Sequence, residues 1–342
     1  MMSEELMKSK MMITKARITM IAFILVGLCC VLPMTSIAQT QPAAKTAAAS
    51  QKGFDTPQQA ANALIKAAGD FDVPELLAIL GPDGQDVVAS DDTVQDKNNA
   101  QDFAKEAAAK NSIQISKSNP NRATIIVGDE EWPLPIPLVK KSGKWYFNAK
   151  EGRQEILFRR IGENELNAIT VCRGYVSAQM EYASEIHDAS GINQYAQKII
   201  STPGKQDGLF WKNADGTPDG PIGDEVAKAL EEGYTAGKGG FHGYYFKILK
   251  GQGPAAPNGA INYVIEGIMI GGFALVAVPA EYRVTGVKTF IVNYDGIVYQ
   301  KDLGPDSLNI VKAMELYDPD KTWQATNDAW PTAVAGVTST TE

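Results

Sequence analysis

Twice along this chain a helical spacing of apolar residues gives way to short alternating segments, and that succession constrains the fold more than any other feature. Thr56-Pro57-Gln58-Gln59 places an N-cap, a proline at the first helical position and a glutamine at the third, the pattern of a capping box. Ala60, Ala63, Leu64 and Ala67 follow on one face. Asp72-Val73-Pro74-Glu75 opens a second helix and Gly81-Pro82-Asp83-Gly84 ends it. Residues 95–110 read as a third, more polar helix. The period then shortens. Ser112–Ser116, Ala123–Val127, Glu131–Val139 and Lys144–Phe147 are strand candidates separated by turn residues. Pro133, Pro135 and Pro137 confine the third to an edge or a bulge, because proline has no N–H to give a ladder.

From Glu163 to about Ala183 the helical period returns, with Leu166, Ile169, Cys172 or Arg173, Val176 and Met180 on one face. Short helices are expected over Ile192–Ile200 and Ile222–Tyr234, within a Gly- and Pro-rich stretch. Five strands follow at Gly243–Leu249, Ala260–Glu266, Gly272–Val278, Val287–Tyr294 and Ile297–Lys301, then a helix over Ser307–Tyr317. Asp295-Gly296 signals a two-residue hairpin, since glycine tolerates the positive φ of such a turn. Helices before antiparallel strands, twice over, give an α+β protein of two domains, 53–158 and 159–326, with a flexible linker at 39–52 and a frayed tail at 327–342.

Residues 1–38 differ in kind. Lys8, Lys10, Lys15 and Arg17 precede the apolar run Ile18–Leu32, and Ser36-Ile37-Ala38 offers a small-residue cleavage site. Together these read as a secretory signal peptide. Fifteen apolar residues fall short of the roughly 20 that span a bilayer, so membrane contact is expected only through the leader, if it stays uncleaved. A periplasmic or extracellular location follows. Without residues 1–38 the net charge moves from −8 to −10. Such acidity disfavours phosphate backbones, and so nucleic acid, as well as anionic lipid. Cys29 and Cys30 leave with the leader, so Cys172 has no internal disulfide partner.

Several segments resemble a known family. They are Trp132–Val139 with Lys144-Trp145, Arg159-Arg160-Ile161-Gly162 with Asn164-Glu165-Leu166, Ser201-Thr202-Pro203-Gly204-Lys205-Gln206-Asp207-Gly208-Leu209, His242-Gly243-Tyr244-Tyr245-Phe246 and Gly271-Gly272-Phe273-Ala274. They resemble the bacterial exported family catalogued as domain of unknown function 2950, over about Phe54 to Trp323. That resemblance implies a location and no activity. Glu165–Ile169, Gly243–Phe246, Ala274–Pro279 and Asp295–Val298 also look like the globular part of pilin-like and pseudopilin-like proteins. There one helix lies on an antiparallel meander, although here a whole domain stands where pilins carry an apolar stem. The order of elements in the first half resembles a cystatin-like or nuclear-transport-factor-like cone.

Chemistry-bearing residues are few. After the leader the chain holds two histidines, His187 and His242, and one cysteine, too few and too scattered for a zinc site. No cofactor is expected. Gly251-Gln252-Gly253 imitates a dinucleotide fingerprint, but Pro254 and Pro257 deny it the helix that must hold the pyrophosphate, so a hairpin loop is expected. Asp215, Asp219 and Asp224 do not have the spacing of a calcium loop and read as turn residues. His187 closes a helix and reads as solvated. Lys205, Asp207 and Trp211, with His242, are the candidate binding residues. Either Lys205 and Asp207 frame a ledge on which Trp211 stacks a flat ligand, or they pair on the surface while Phe210 and Trp211 fill the core. The leading expectation is a non-catalytic module that binds an envelope partner or a small ligand. The alternatives are an envelope hydrolase using carboxylates with His242, and an assembly subunit related to pseudopilins.

Overall fold

The computed structural model describes residues 51–89, 93–223, 227 and 240–326. The expected leader, most of the 39–52 linker, most of the Ile222–Tyr234 helix, Asp224 and the tail lie outside the described residues. The chain divides into two compact units, one ending at Arg159 and the other beginning at Arg160. Both mix helices with mainly antiparallel sheet, so the protein is α+β.

In the first unit, α1 (Pro57–Asp70) and α2 (Val73–Leu80) start where their caps dictate. The Thr56 hydroxyl accepts from the Gln59 amide and the Asp72 carboxylate from the Glu75 amide, each at 3.1 Å. A short α3 (Gln85–Val88) and α4 (Thr93–Ala109) follow, and α1 packs on α4. The sheet comprises β1 (Asn111–Ile115), β2 (Arg122–Val127), β3 (Trp132–Pro133), β4 (Leu138–Lys141) and β5 (Lys144–Phe147). Its order is β1-β2-β4-β5, with β3 also on β2, and every pair is antiparallel. Ala123, Ile125 and Val127 alternate inward from β2 to meet Leu64, Ile79, Phe103 and Trp145 in one core. The single strand expected over Glu131–Val139 is broken in two. Pro135 and Pro137 cannot donate, so Leu134–Pro137 leaves the ladder as a buried connection, held where the Leu134 amide donates to the Ile125 carbonyl at 2.8 Å.

α5 runs from Ala149 to Tyr182. It begins fourteen residues before the expected start at Glu163. Asn148 sets that start: its side-chain oxygen accepts from the Glu151 amide at 3.3 Å, while its amide group donates to the Glu151 carboxylate at 3.0 Å. Arg122 grips the same carboxylate with both terminal nitrogens, and the pairing holds the Glu151 carboxyl below its ordinary range.

The second unit contains β6 (Lys198–Ile200), β7 (Gly208–Lys212), β8 (Pro218–Asp219), β9 (Tyr244–Leu249), β10 (Gly251–Gln252), β11 (Ile261–Asn262), β12 (Val264–Ile265), β13 (Ile268–Met269), β14 (Ala274–Pro279), β15 (Thr289–Asn293), β16 (Tyr299–Lys301), α6 (Ser307–Ala313) and β17 (Gln324–Ala325). Its main sheet is antiparallel in the order β17-β16-β15-β14-β9, with Lys247 opposite Val276, Val276 opposite Ile291 and Ile291 opposite Tyr299. β14 and β15 are buried along their whole lengths. Ala168, Ile169, Cys172, Tyr175 and Val176 of α5 share a core with Phe246, Phe273, Val276 and Phe290.

Four further expectations change here. Ile192–Ile200 is not helical. Gln179 clamps Ala196 as a strand neighbour would, accepting from its amide and donating to its carbonyl at 2.8 Å each, and the Tyr195 amide bonds the Met269 carbonyl. Ala260–Glu266 splits into β11 and β12, because the Tyr263 amide turns back to the Lys250 carbonyl. Pairing of Ile291 with Tyr299 leaves five residues, Tyr294–Val298, between β15 and β16. Asp295-Gly296 therefore sits inside a longer loop, with Gly296 at φ +76°. The last helix stops at Ala313, where the Lys247 ammonium takes the Lys312 and Met314 carbonyls.

Candidate functional site

β6 and β7 are parallel neighbours, with Lys198 opposite Gly208 and Ile200 opposite Phe210. Parallel strands ordinarily need a crossover of a dozen residues or more. Here seven residues, Ser201–Asp207, suffice, held by bonds among themselves and to Lys198, Gly208, Phe210 and Tyr182. Pro203 and Gly204 form a type II turn, with Gly204 at φ +78° and the Lys205 amide donating to the Thr202 carbonyl at 2.9 Å. The Ser201 hydroxyl accepts from the Gly208 amide at 2.9 Å. A Cβ on Gly208 would lie 2.8 Å from the Ser201 nitrogen and 2.9 Å from the Ile200 carbonyl carbon, so only glycine fits there.

Asp207 is the centre of the loop. Its Oδ1 accepts from the Thr202 amide at 2.7 Å, and its Oδ2 accepts from the Thr202 hydroxyl at 2.8 Å and the Lys198 ammonium at 2.9 Å. Partial burial alone would raise this carboxyl, but Lys198 and Thr202 outweigh it and hold it below its ordinary range. The surface pair expected between Lys205 and Asp207 is not formed. Asp207 is already saturated, and its ionic partner is Lys198, which no short-range spacing in the sequence singled out. Lys205 is exposed and makes no side-chain bond to any described residue.

Trp211 is only 8% exposed and Phe210 3%. Trp211 thus fills the core and offers no open ledge. Its indole N–H is buried without a partner among the described residues. His187, expected to be solvated, is half-buried. It stacks on Tyr182 with ring centres 3.9 Å apart and lies 5.3 Å from the Trp211 ring. Its Nε2 sits 2.8 Å from the Tyr182 carbonyl oxygen and its Nδ1 3.4 Å from Gln206 Oε1. The Tyr182 hydroxyl donates to the Gln206 carbonyl, so the end of α5 and the loop are fastened together.

His242 belongs to a different feature. It stands just before β9, as the first corner of a turn from Phe241 to Tyr244. His242 at φ +49° and Gly243 at φ +74° supply the two positive angles of a type I′ turn. Its ring packs on Phe241, and among the described residues it meets neither Trp211 nor Asp207.

The remaining motifs act as clamps. Arg160 and Asn164 donate to the Val284 and Thr285 carbonyls, and Glu165 Oε1 accepts from the Val287 and Lys288 amides at 2.9 and 3.0 Å. The Tyr244 hydroxyl donates to the Lys288 carbonyl at 2.8 Å and presses on Gly286 where a Cβ would stand. Gln252 of the fingerprint-like segment lies in β10 and ties the Pro257 and Gly259 carbonyls. Asp215 accepts from the Thr217 amide and hydroxyl within its own turn. Cys172 is fully buried and its thiol is pushed up to about 12 by that burial. Among the described residues no three His, Cys, Asp or Glu side chains are grouped to hold a metal, and no helix is long and apolar enough to cross a membrane.

The family model described as a protein of unknown function (DUF2950) matches residues 51–326. The chain belongs to that family. No curated protein and no solved structure matches this DUF2950 chain. The segments quoted for the resemblance coincide, in this DUF2950 protein, with the Ser201–Gly208 loop, the α5 clamp on residues 284–288 and the type I′ turn before β9.

Proposed function

We propose that this protein acts outside the cytosol as a non-catalytic binding module, docking an envelope partner or a small ligand through the Ser201–Asp207 loop. The observation that carries the reading is the division of labour within that loop. Asp207, Thr202 and Ser201 are consumed in holding it, while Lys205 stands exposed and unbonded on a rigid type II turn. A charged group presented without its own partner, on a loop that loses little entropy when bound, suits recognition. The leader read from residues 1–38 supplies the compartment. Binding is favoured over nucleophilic chemistry because Cys172 is sealed in the core with a raised pKa and the Ser201 hydroxyl has no base bonded to it among the described residues.

The test is charge reversal at the tip. Lys205→Glu leaves every bond of the loop in place, so the melting temperature should not move. Partners recovered with the wild-type chain from the envelope fraction should be lost. An unchanged set of partners with the variant overturns the reading.

A further inference from the structure

An open cleft of about 420 Å³ lies in the second unit, far along the chain from the Ser201–Asp207 loop. Ile291 of β15 contributes to its wall, with Ala313 and Met314 at the end of α6, Leu316, Trp323 and two carboxylates, Glu315 and Asp318. Its size falls within the range of small-molecule sites, about 300–1,000 Å³. Both carboxylates are held by one oxygen each. Glu315 Oε1 accepts from the Lys247 ammonium at 2.9 Å. Asp318 Oδ1 accepts from the Ala255 and Ala256 amides at 2.7 and 3.2 Å. The second oxygen of each receives no hydrogen bond from any described residue.

These facts narrow the ligand class. An anion would face two carboxylates. A cation gains less: Lys247 already neutralises Glu315, leaving Asp318 alone to meet it, and the Lys301 ammonium already lies over one face of Trp323, 5.7 Å from the ring centre. A wholly apolar ligand would take water from two carboxylate oxygens and give no donor in return. What remains is a neutral molecule with an apolar face for Trp323, Leu316 and Met314 and hydroxyl donors along one edge. A pyranose ring is such a molecule: its C–H face lies against an indole while its hydroxyls reach fixed carboxylate acceptors.

We infer that this cleft binds a neutral pyranose sugar, seated on Trp323 and hydrogen-bonded to the open oxygens of Glu315 and Asp318. The inference stands apart from the Lys205 loop and uses none of its residues.

The experiment titrates the full chain with cellobiose and with N,N′-diacetylchitobiose, following the indole N–H resonance of Trp323, assigned by its loss in Trp323→Phe. A saturable shift with at least one disaccharide is expected. Glu315→Gln should weaken it about fivefold, and Trp323→Ala, which lacks the reporting resonance and is titrated by calorimetry beside the wild type, about tenfold. Glu315 is 74% exposed in its side chain, so its variant tests the site without risk to the fold. Lys205→Glu should bind as the wild type does, which separates this site from the proposed docking loop. The inference is overturned if neither sugar moves the resonance, if Glu315→Gln binds as tightly as the wild type, or if cyclohexanemethanol, with one hydroxyl on an apolar ring, binds as well as the sugars.

Discussion

Asp207→Ala is the sharpest single perturbation of the Ser201–Asp207 loop. It removes the acceptor for the partly buried Thr202 amide, and a hydrogen bond to a charged acceptor is worth about 1.5–3 kcal/mol. The Lys198 pair adds at most about 1 kcal/mol, since its side chains are 49% and 36% exposed and screened by water. The Thr202 hydroxyl can turn to solvent and adds little. The expected loss is therefore about 2–4 kcal/mol, or roughly 5–12 °C in the melting transition of a unit of this size. Urea unfolding followed by circular dichroism measures the total, and hydrogen exchange at the Thr202 amide shows whether the loss is local to the loop. The pH dependence has a definite sign. A carboxyl held below its ordinary range stabilises the fold above the unfolded-state pKa of about 3.9 and loses that contribution as pH falls through its folded value. The gap between wild type and variant should thus be full at pH 7 and narrow below about pH 4. A loss under about 0.5 kcal/mol, the level of an ordinary surface change, or an equal gap at both pH values, refutes the account of this loop.

Other outcomes follow from the same geometry. Gly286→Ala should destabilise by about 1–3 kcal/mol in urea melts, because the added methyl meets the buried Tyr244 ring, which is fixed by its bond to Lys288; a neutral effect would show that the loop yields freely. Glu165→Ala leaves the Val287 and Lys288 amides without their acceptor and should cost about 1–3 kcal/mol, read by faster exchange at those two amides. Glu151→Gln should cost about 1 kcal/mol or less, because the Arg122–Glu151 pair is more than a third exposed, and that cost should fade in acid as the native carboxyl itself becomes protonated. Cys172 should resist a maleimide in native buffer and react once urea is added, as its raised thiol pKa and complete burial require.

The α+β class was legible because apolar spacing reports which faces are buried, and in Ala123–Val127 and Ala274–Val278 those faces set the strands. The start of α5 was written in the sequence as Asn148-x-x-Glu151, a capping signature obscured by glycines at 152 and 162 and by the lack of a sustained apolar stripe. Ile192–Ile200 was not readable locally. Its backbone is claimed by Gln179 and Met269, contacts that exist only once the unit has assembled. The site was half legible. The Pro203-Gly204 turn follows from residue type, but the partner of Asp207 does not, because Lys198 reaches it only through the parallel register of two strands. Trp211 lies in the core, one of the two places its sequence allowed, whereas His187 was misplaced because its stack on Tyr182 and approach to Trp211 join residues that no single spacing relates.

A strand that comes back beside itself after seven residues has no slack. One residue added between Ser201 and Asp207 would shift the carboxylate out of reach of the Thr202 amide, the Thr202 hydroxyl and Lys198 together, and would push Gly208 off the backbone it touches. Among relatives of this chain, insertions and deletions should therefore avoid this segment and gather in connections whose length no such set of bonds fixes.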